Sequence, residues 1–179
     1  VTSLKKEEAT AYAEQLTKEY PELPADYFIP WWGNIFVRDD FKEMDRFEIL
    51  NYPAKRKILM KDTMEEMTSE VLKKSALYQL INEHRPDIII DSINSATGIA
   101  YQDVYTTYHT ISKTIENNPS REALVDETEK LLCTQYIPQL IRHIQILYAS
   151  MSEAKTEIYV KIGTSGTGGM GLNIPYTHS

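Results

Sequence analysis

The chain has 179 residues, 42% of them apolar and 25% charged, with a net charge of −7 at pH 7. That is an ordinary globular composition, large enough for one core, and its acidity excludes broad nucleic-acid binding and attraction to an anionic membrane surface. A lone cysteine, Cys133, excludes an internal disulfide and fits a reducing, cytoplasmic compartment; no signal peptide is visible and no apolar run approaches the roughly 18 residues of a membrane span, so no membrane partner is expected. The elements then read in chain order. Ala9, Tyr12, Ala13 and Leu16 recur at helical spacing until Pro21 stops the pattern. "DYFIPWWGNIFVRDD", residues 26–40, is aromatic and β-branched and predicts a strand ending near Gly33-Asn34, with an edge or irregular start at Pro30. Residues 40–66 are charged and Met-rich and predict short helices. "TSEVLKKSALYQLINEH" predicts a capped amphipathic helix with Val71, Leu72, Ser75, Leu77, Tyr78, Leu80 and Ile81 inward, ended by Arg85-Pro86.

The run Ile88-Ile89-Ile90 leaves Pro86 and runs into small polar residues, the pattern of a strand buried on both faces. A helix follows and closes at Asn117-Asn118-Pro119. Ser120 then caps a long helix whose stripe is Leu124, Leu131, Leu132, Ile137, Leu140, Ile141, Ile144, Leu147, Tyr148 and Met151, and Pro138 should kink or split it. Cys133 sits in that stripe and reads as a buried, inert thiol. "TEIYVKIG" predicts another buried strand. Such alternation predicts a parallel α/β sheet with helices on both faces and a ligand site at the carboxyl ends of the strands. Polar residues gather there: Gly33-Asn34, Asp91 to Thr97, and Thr164-Ser165.

The segment Gly166-Thr-Gly168-Gly-Met-Gly171 spells G-x-G-x-x-G. A dinucleotide fingerprint needs a helix after the loop and an acid about 20 residues on. "LNIPYTHS" has Pro175 and no helical period, so the motif fails on both counts. A phosphate loop needs Gly-Lys-Ser/Thr, and a serine-hydrolase elbow needs G-x-S-x-G. Met170-Gly171-Leu172 and Gly163-Thr-Ser165-Gly-Thr167 miss both. What remains is a Ser or Thr at a strand end that hydrogen-bonds a substrate oxygen, with glycines permitting close approach. Tyr176 is either a phenol for proton transfer or a packing residue. His84, His109, His143 and His178 are scattered without ligand spacing, so no metal site is expected, and His143 reads as a satisfied packing residue.

Three stretches carry a resemblance. "WWGNIFVRD" resembles the G-D-[IL]-x-D strand end of the short-chain dehydrogenases/reductases, in particular their extended, NAD-dependent epimerase/dehydratase-like branch. "PDIIIDSINSATG" is similar to that family's next strand, and "EIYVKIGTSGTGG" to the one that carries its catalytic Ser/Thr. The ending "VKIGTSGTGGMGLNIPYTHS" resembles a bacterial group of these proteins. The resemblance covers roughly residues 26 to 171 and rests on the order of the three motifs. It implies a Rossmann-like three-layer α/β fold, incomplete at both ends, with residues 1–179 a partial NAD(P)-binding domain and 40–66 an insertion. It implies NAD or NADP held by Gly33, Asn34, Ile35, Ser92, Asn94 and Ser95, with Asn34 beside the adenine. Ser165 and Thr164 would orient the oxygen of a carbonyl or hydroxyl substrate, with Tyr176 as proton donor, and the long helices would form a homodimer. Three departures stand out. Asn34 replaces an acid, no residues correspond to the family's N-terminal glycine-rich loop, and Tyr176 lacks the Tyr-x-x-x-Lys lysine. The other reading is a non-catalytic Rossmann-like binding or regulatory protein.

Overall fold

In the computed structural model, which describes residues 1–93 and 104–162, two parallel strand pairs stand among helices. Strand β1 (Thr2–Ser3) leads through α1 (Lys6–Glu19) to β2 (Trp31–Trp32), which lies parallel to it. A short 3-10 turn (Asp39–Phe41) and helices α2 (Arg46–Asn51), α3 (Pro53–Met64), α4 (Ser69–Lys74) and α5 (Ala76–His84) follow. Strand β3 (Ile88–Asp91) leads through α6 (Val104–Glu116), α7 (Arg121–Cys133) and α8 (Tyr136–Ala154) to β4 (Ile158–Lys161). Those two strands are parallel, Ile88 opposite Ile158 and Asp91 opposite Lys161. Parallel partners need a crossover, and helices supply it in both pairs. The chain is therefore mixed α/β and mostly helical, with short parallel pairings. Among the described residues no helix is long and apolar enough to cross a membrane.

The strand expected over residues 26–40 shrinks to two ladder residues. Gly33 turns the chain away at φ 124°. Asn34 then donates its N–H to the Lys42 carbonyl (2.7 Å), and its Oδ1 accepts from the Phe36 N–H (2.9 Å). Strand β2 pairs with β1, so among the described residues the three expected strands do not form one continuous ladder. The isoleucine run was expected to be buried on both faces, yet Ile88 is 55% and Ile90 67% exposed. Alternation explains it. Ile89 joins the cluster of Leu77, Tyr78, Ile81 and Ile146 from α5 and α8, and its neighbours point the other way. Strand β4 is exposed throughout.

The single helix expected before Arg85 is two. Ser75 is extended at ψ 136°, and the Ala76 N–H donates to the Val37 carbonyl (3.0 Å) instead of continuing α4. Thr68 caps α4 by accepting from the Val71 N–H (3.2 Å), and Val71, Ser75, Leu77, Tyr78 and Ile81 are buried as the periodicity requires. Arg85 closes α5 in the left-handed region, just before Pro86. The long helix also divides, at Thr134-Gln135, and Pro138 sits in the first turn of α8, where its missing N–H costs no bond. The expected stripe is corrected too. On α8 the buried residues are Arg142, His143, Ile146 and Ser150, whereas Ile137, Ile141, Ile144 and Tyr148 are exposed.

Residues 40–66 form the short helices expected of them and supply much of a second cluster: Phe41, Ile49 and Leu59 pack with Val37 and Cys133. Arg56, 1% exposed, spans from α3 to α7. Its Nε donates to Glu129 Oε2 (3.0 Å), its Nη2 pairs with Asp126, and its Nη1 donates to the Leu50 carbonyl. Arg38 grips Asp62 with two bonds of 2.7 Å.

Candidate functional site

A cavity of about 540 Å³ opens between the two strand pairs. Leu77 and Ile81 of α5 and Leu147 of α8 line it, as do Ile35 and the whole run Ile88 to Ile93. Its volume lies in the range of small-molecule sites, and its walls are mostly apolar with a few polar groups.

The polar end is organised by Asp91. Its carboxylate accepts from the Tyr159 hydroxyl (2.7 Å), from Lys161 Nζ (2.8 Å) and from the Ile93 N–H (2.9 Å). Burial pushes this carboxyl up, but the bonds from Lys161, Tyr159 and Ile93 outweigh burial and hold it below the usual carboxylate range. Burial, and donation to Asp91, push the Tyr159 phenol up to about 12. A phenol so held does not give up its proton near neutrality. The trio is therefore a clamp across the carboxyl ends of β3 and β4. No reading of the sequence singled it out. The signal was present, since Tyr159 and Lys161 are two apart and share one face of a strand, but pairing them with Asp91 requires the register.

His143 also lines the cavity. It is 6% exposed and packs edge-on to Phe36, ring centroids 4.8 Å apart. Its Nδ1 is buried with no hydrogen-bond partner, so it is a packing residue but not the satisfied one expected. Burial lowers its pKa to about 4, with Asp91 raising it and Lys161 lowering it by smaller amounts. The fold thus holds the neutral ring. Its contribution is fully present above the ordinary pKa near 6.5 and is lost as pH falls from there toward 4. Between pH 6.5 and 4.5 the native protein should lose on the order of 2 kcal/mol of stability that a His143→Phe variant keeps. Urea unfolding of both proteins at the two pH values measures this. Equal losses would show that His143 does not carry the effect.

The residues singled out in the sequence divide into three groups. Ile35 and Ser92, which follow β2 and β3, line the same cavity. Gly33 and Asn34 build the turn that delivers Ile35 and do not line it; the Asn34 oxygen is engaged with Phe36. Asn94, Ser95, Thr164, Ser165 and Tyr176 lie outside the described residues, as does the glycine segment 166–171. Cys133 is buried, and burial pushes its thiol up to about 11, which leaves it inert at neutral pH. Among the described residues no group of three His, Cys, Asp or Glu side chains is placed to hold a metal ion. Compared with protein-family models, with curated proteins and with solved structures, the chain matches none.

Proposed function

We propose that this chain is the nucleotide-binding α/β part of an NAD(P)-dependent oxidoreductase or epimerase-like enzyme acting on a carbonyl or hydroxyl substrate. In this reading the two parallel pairs are halves of one Rossmann-like sheet. One observation carries it: Ile35 and Ser92, which follow two different parallel strands, line one cavity. Crevices at carboxyl ends are where such folds take nucleotides. The apolar walls suit a nicotinamide or adenine ring. No Lys or Arg lines the cavity among the described residues, so the fit is to the ring and ribose ends, and the pyrophosphate falls to other residues.

The proposed roles follow the resemblance. Gly33 and Asn34 shape the turn that brings Ile35 to the ring, and Ser92, Asn94 and Ser95 flank the ribose and nicotinamide. The cofactor supplies hydride transfer when bound. Ser165, with Thr164, orients the substrate oxygen, and Tyr176 hands it a proton. Calorimetric titration with NAD, NADH, NADP and NADPH should give heat and a raised melting temperature for at least one of them. No heat and no shift for any of the four removes the proposal. One observation favours the binding-only alternative: Tyr159 and His143, at the cavity, are both tuned away from neutral-pH proton transfer. Turnover that survives in the double variant Ser165→Ala, Tyr176→Phe would exclude the proposed chemistry.

The homodimer belongs to the same reading. On α8, Ile137, Ile141, Ile144 and Tyr148 are 56%, 52%, 55% and 71% exposed, spaced as one helical stripe. Tyr105, Tyr108 and Ile115 of α6 are exposed as well. Apolar stripes of this kind mark association surfaces. Light scattering should give a dimer for the native chain and a monomer for Ile141→Glu. A native monomer at high concentration would exclude this interface.

A further inference from the structure

A second, small cavity lies where the break between α4 and α5 meets α3 and α8. Arg38, Asp62, Thr63, Ser75 and Arg142 are its polar residues. None of its lining residues lines the larger cavity. At about 20 Å³ it exceeds the roughly 10–15 Å³ that one water needs, and it has no room for an organic molecule.

The donors here outnumber the acceptors open to them. Arg142 is 9% exposed. Its Nη2 reaches the Glu65 carbonyl, but its Nε and Nη1 are buried without a hydrogen-bond partner among the described residues. Ser75 is 3% exposed, and its Oγ is buried and unpartnered in the same way. An antiparallel bridge sets Ser75 against Arg38. The acceptors are engaged. Asp62 holds Arg38 with both oxygens at 2.7 Å, the Val37 carbonyl accepts from the Ala76 N–H (3.0 Å), and the Leu59 carbonyl accepts from the Thr63 hydroxyl (2.8 Å).

Charge is unbalanced in the same sense. Two guanidinium groups and one carboxylate line the cavity, and that carboxylate is gripped by Arg38. Among the described residues no carboxylate forms an ion pair with Arg142. Asp62 acts on it through charge alone, and burial, the larger influence, pushes its pKa below the ordinary value. A buried cation and buried donors left so are costly, and an ion at the site is one of the few things that relieve both.

We propose that this cavity binds a single monatomic anion, chloride, held by the Nε and Nη1 groups of Arg142 and the hydroxyl of Ser75. A water would accept from these donors but would bring two protons of its own, and the acceptors around it are engaged. Chloride brings no proton and supplies the missing charge. Sulfate, phosphate and carboxylates are too large for the space. The ion ties α8 to the junction at Ser75, so its binding is read in the stability of the fold. This inference rests on Arg142 and Ser75 and not on the nucleotide reading.

The test is urea unfolding of the whole chain in sodium chloride and in sodium gluconate of equal ionic strength, since gluconate is too large to enter. At ten times its Kd, chloride should lower the unfolding constant about 11-fold relative to gluconate, and the effect should saturate. Arg142→Met should abolish the difference. Ser75→Ala removes one hydroxyl and leaves both arginines. It should raise the chloride concentration required about tenfold, and it decides the matter should the Arg142 variant fail to fold. Equal stability of the native chain in the two salts overturns the proposal and leaves the cavity to water. A chloride effect that keeps its size and midpoint in every variant that folds overturns it too, because the ion then acts elsewhere.

Discussion

Replacing Arg56 by alanine is expected to destabilise the fold by about 3–5 kcal/mol. The guanidinium is 1% exposed and joins three partners from separate parts of the chain: Glu129, Asp126 and the Leu50 carbonyl. The Glu129 side chain is only 14% exposed. Without Arg56 its carboxylate has poor access to water and no cation, and that uncompensated charge is the main part of the cost. Asp126 suffers less, because Lys130 also pairs with it (2.7 Å). Urea unfolding of R56A, E129Q and the double variant forms a thermodynamic cycle. The double variant should lose clearly less stability than the two single variants summed, since the stranded charge is gone. A loss below about 1 kcal/mol for R56A would mean that water reaches Glu129 freely.

Gly33→Ala is the second large effect, expected at about 1–3 kcal/mol from backbone conformation alone. Its φ of 124° is closed to residues with a Cβ. Space is closed as well: a Cβ at this position would lie 2.9 Å from both Cβ and Cγ of Lys42. Lys42 cannot retreat without breaking the bond from the Asn34 N–H to its carbonyl (2.7 Å). The damage should reach the cavity, because this turn sets Ile35 against the cluster of Leu77, Tyr78 and Ile81. Melting of G33A beside the native protein measures the loss. A change within about 0.5 kcal/mol would show that the turn has another accessible conformation.

Much of the helical frame was legible. Capping residues and apolar spacing placed α1, α4 with α5, and the start of α7, because those signals are local. The two-residue strand at Trp31-Trp32 was not. Its aromatic and β-branched neighbours read as a full strand, and only the Asn34–Lys42 bond, eight positions apart, shows that the chain turns out. The face of α8 was misread for another reason. Apolar residues lie on more than one side of that helix, and spacing alone does not say which side meets the core. Arg142 and His143 are buried on the chosen side, against composition. Arg142 reaches the Glu65 carbonyl, while two of its nitrogens lie buried without partners. At the cavity, Ile35 and Ser92 could be named because they follow strands. Asp91, Tyr159 and Lys161 could not be grouped, because their meeting depends on how two strands 68 to 70 residues apart align.

The bare ladder of β3 and β4 has a consequence for handling the protein. Residues 157–162, Glu157-Ile-Tyr-Val-Lys-Ile162, combine β-branched and aromatic side chains with no proline or glycine, and they are exposed. A six-residue stretch of that kind can seed cross-β stacking between molecules, with identical copies zipping face to face. Glu157 and Lys161 are the charges that interrupt it. Neutralising Lys161 would take from the Asp91 carboxylate its only cationic donor among the described residues, leaving Tyr159 and the Ile93 N–H, and remove one of those gatekeepers in a single step, turning a local hydrogen bond into a determinant of whether the protein forms fibrils.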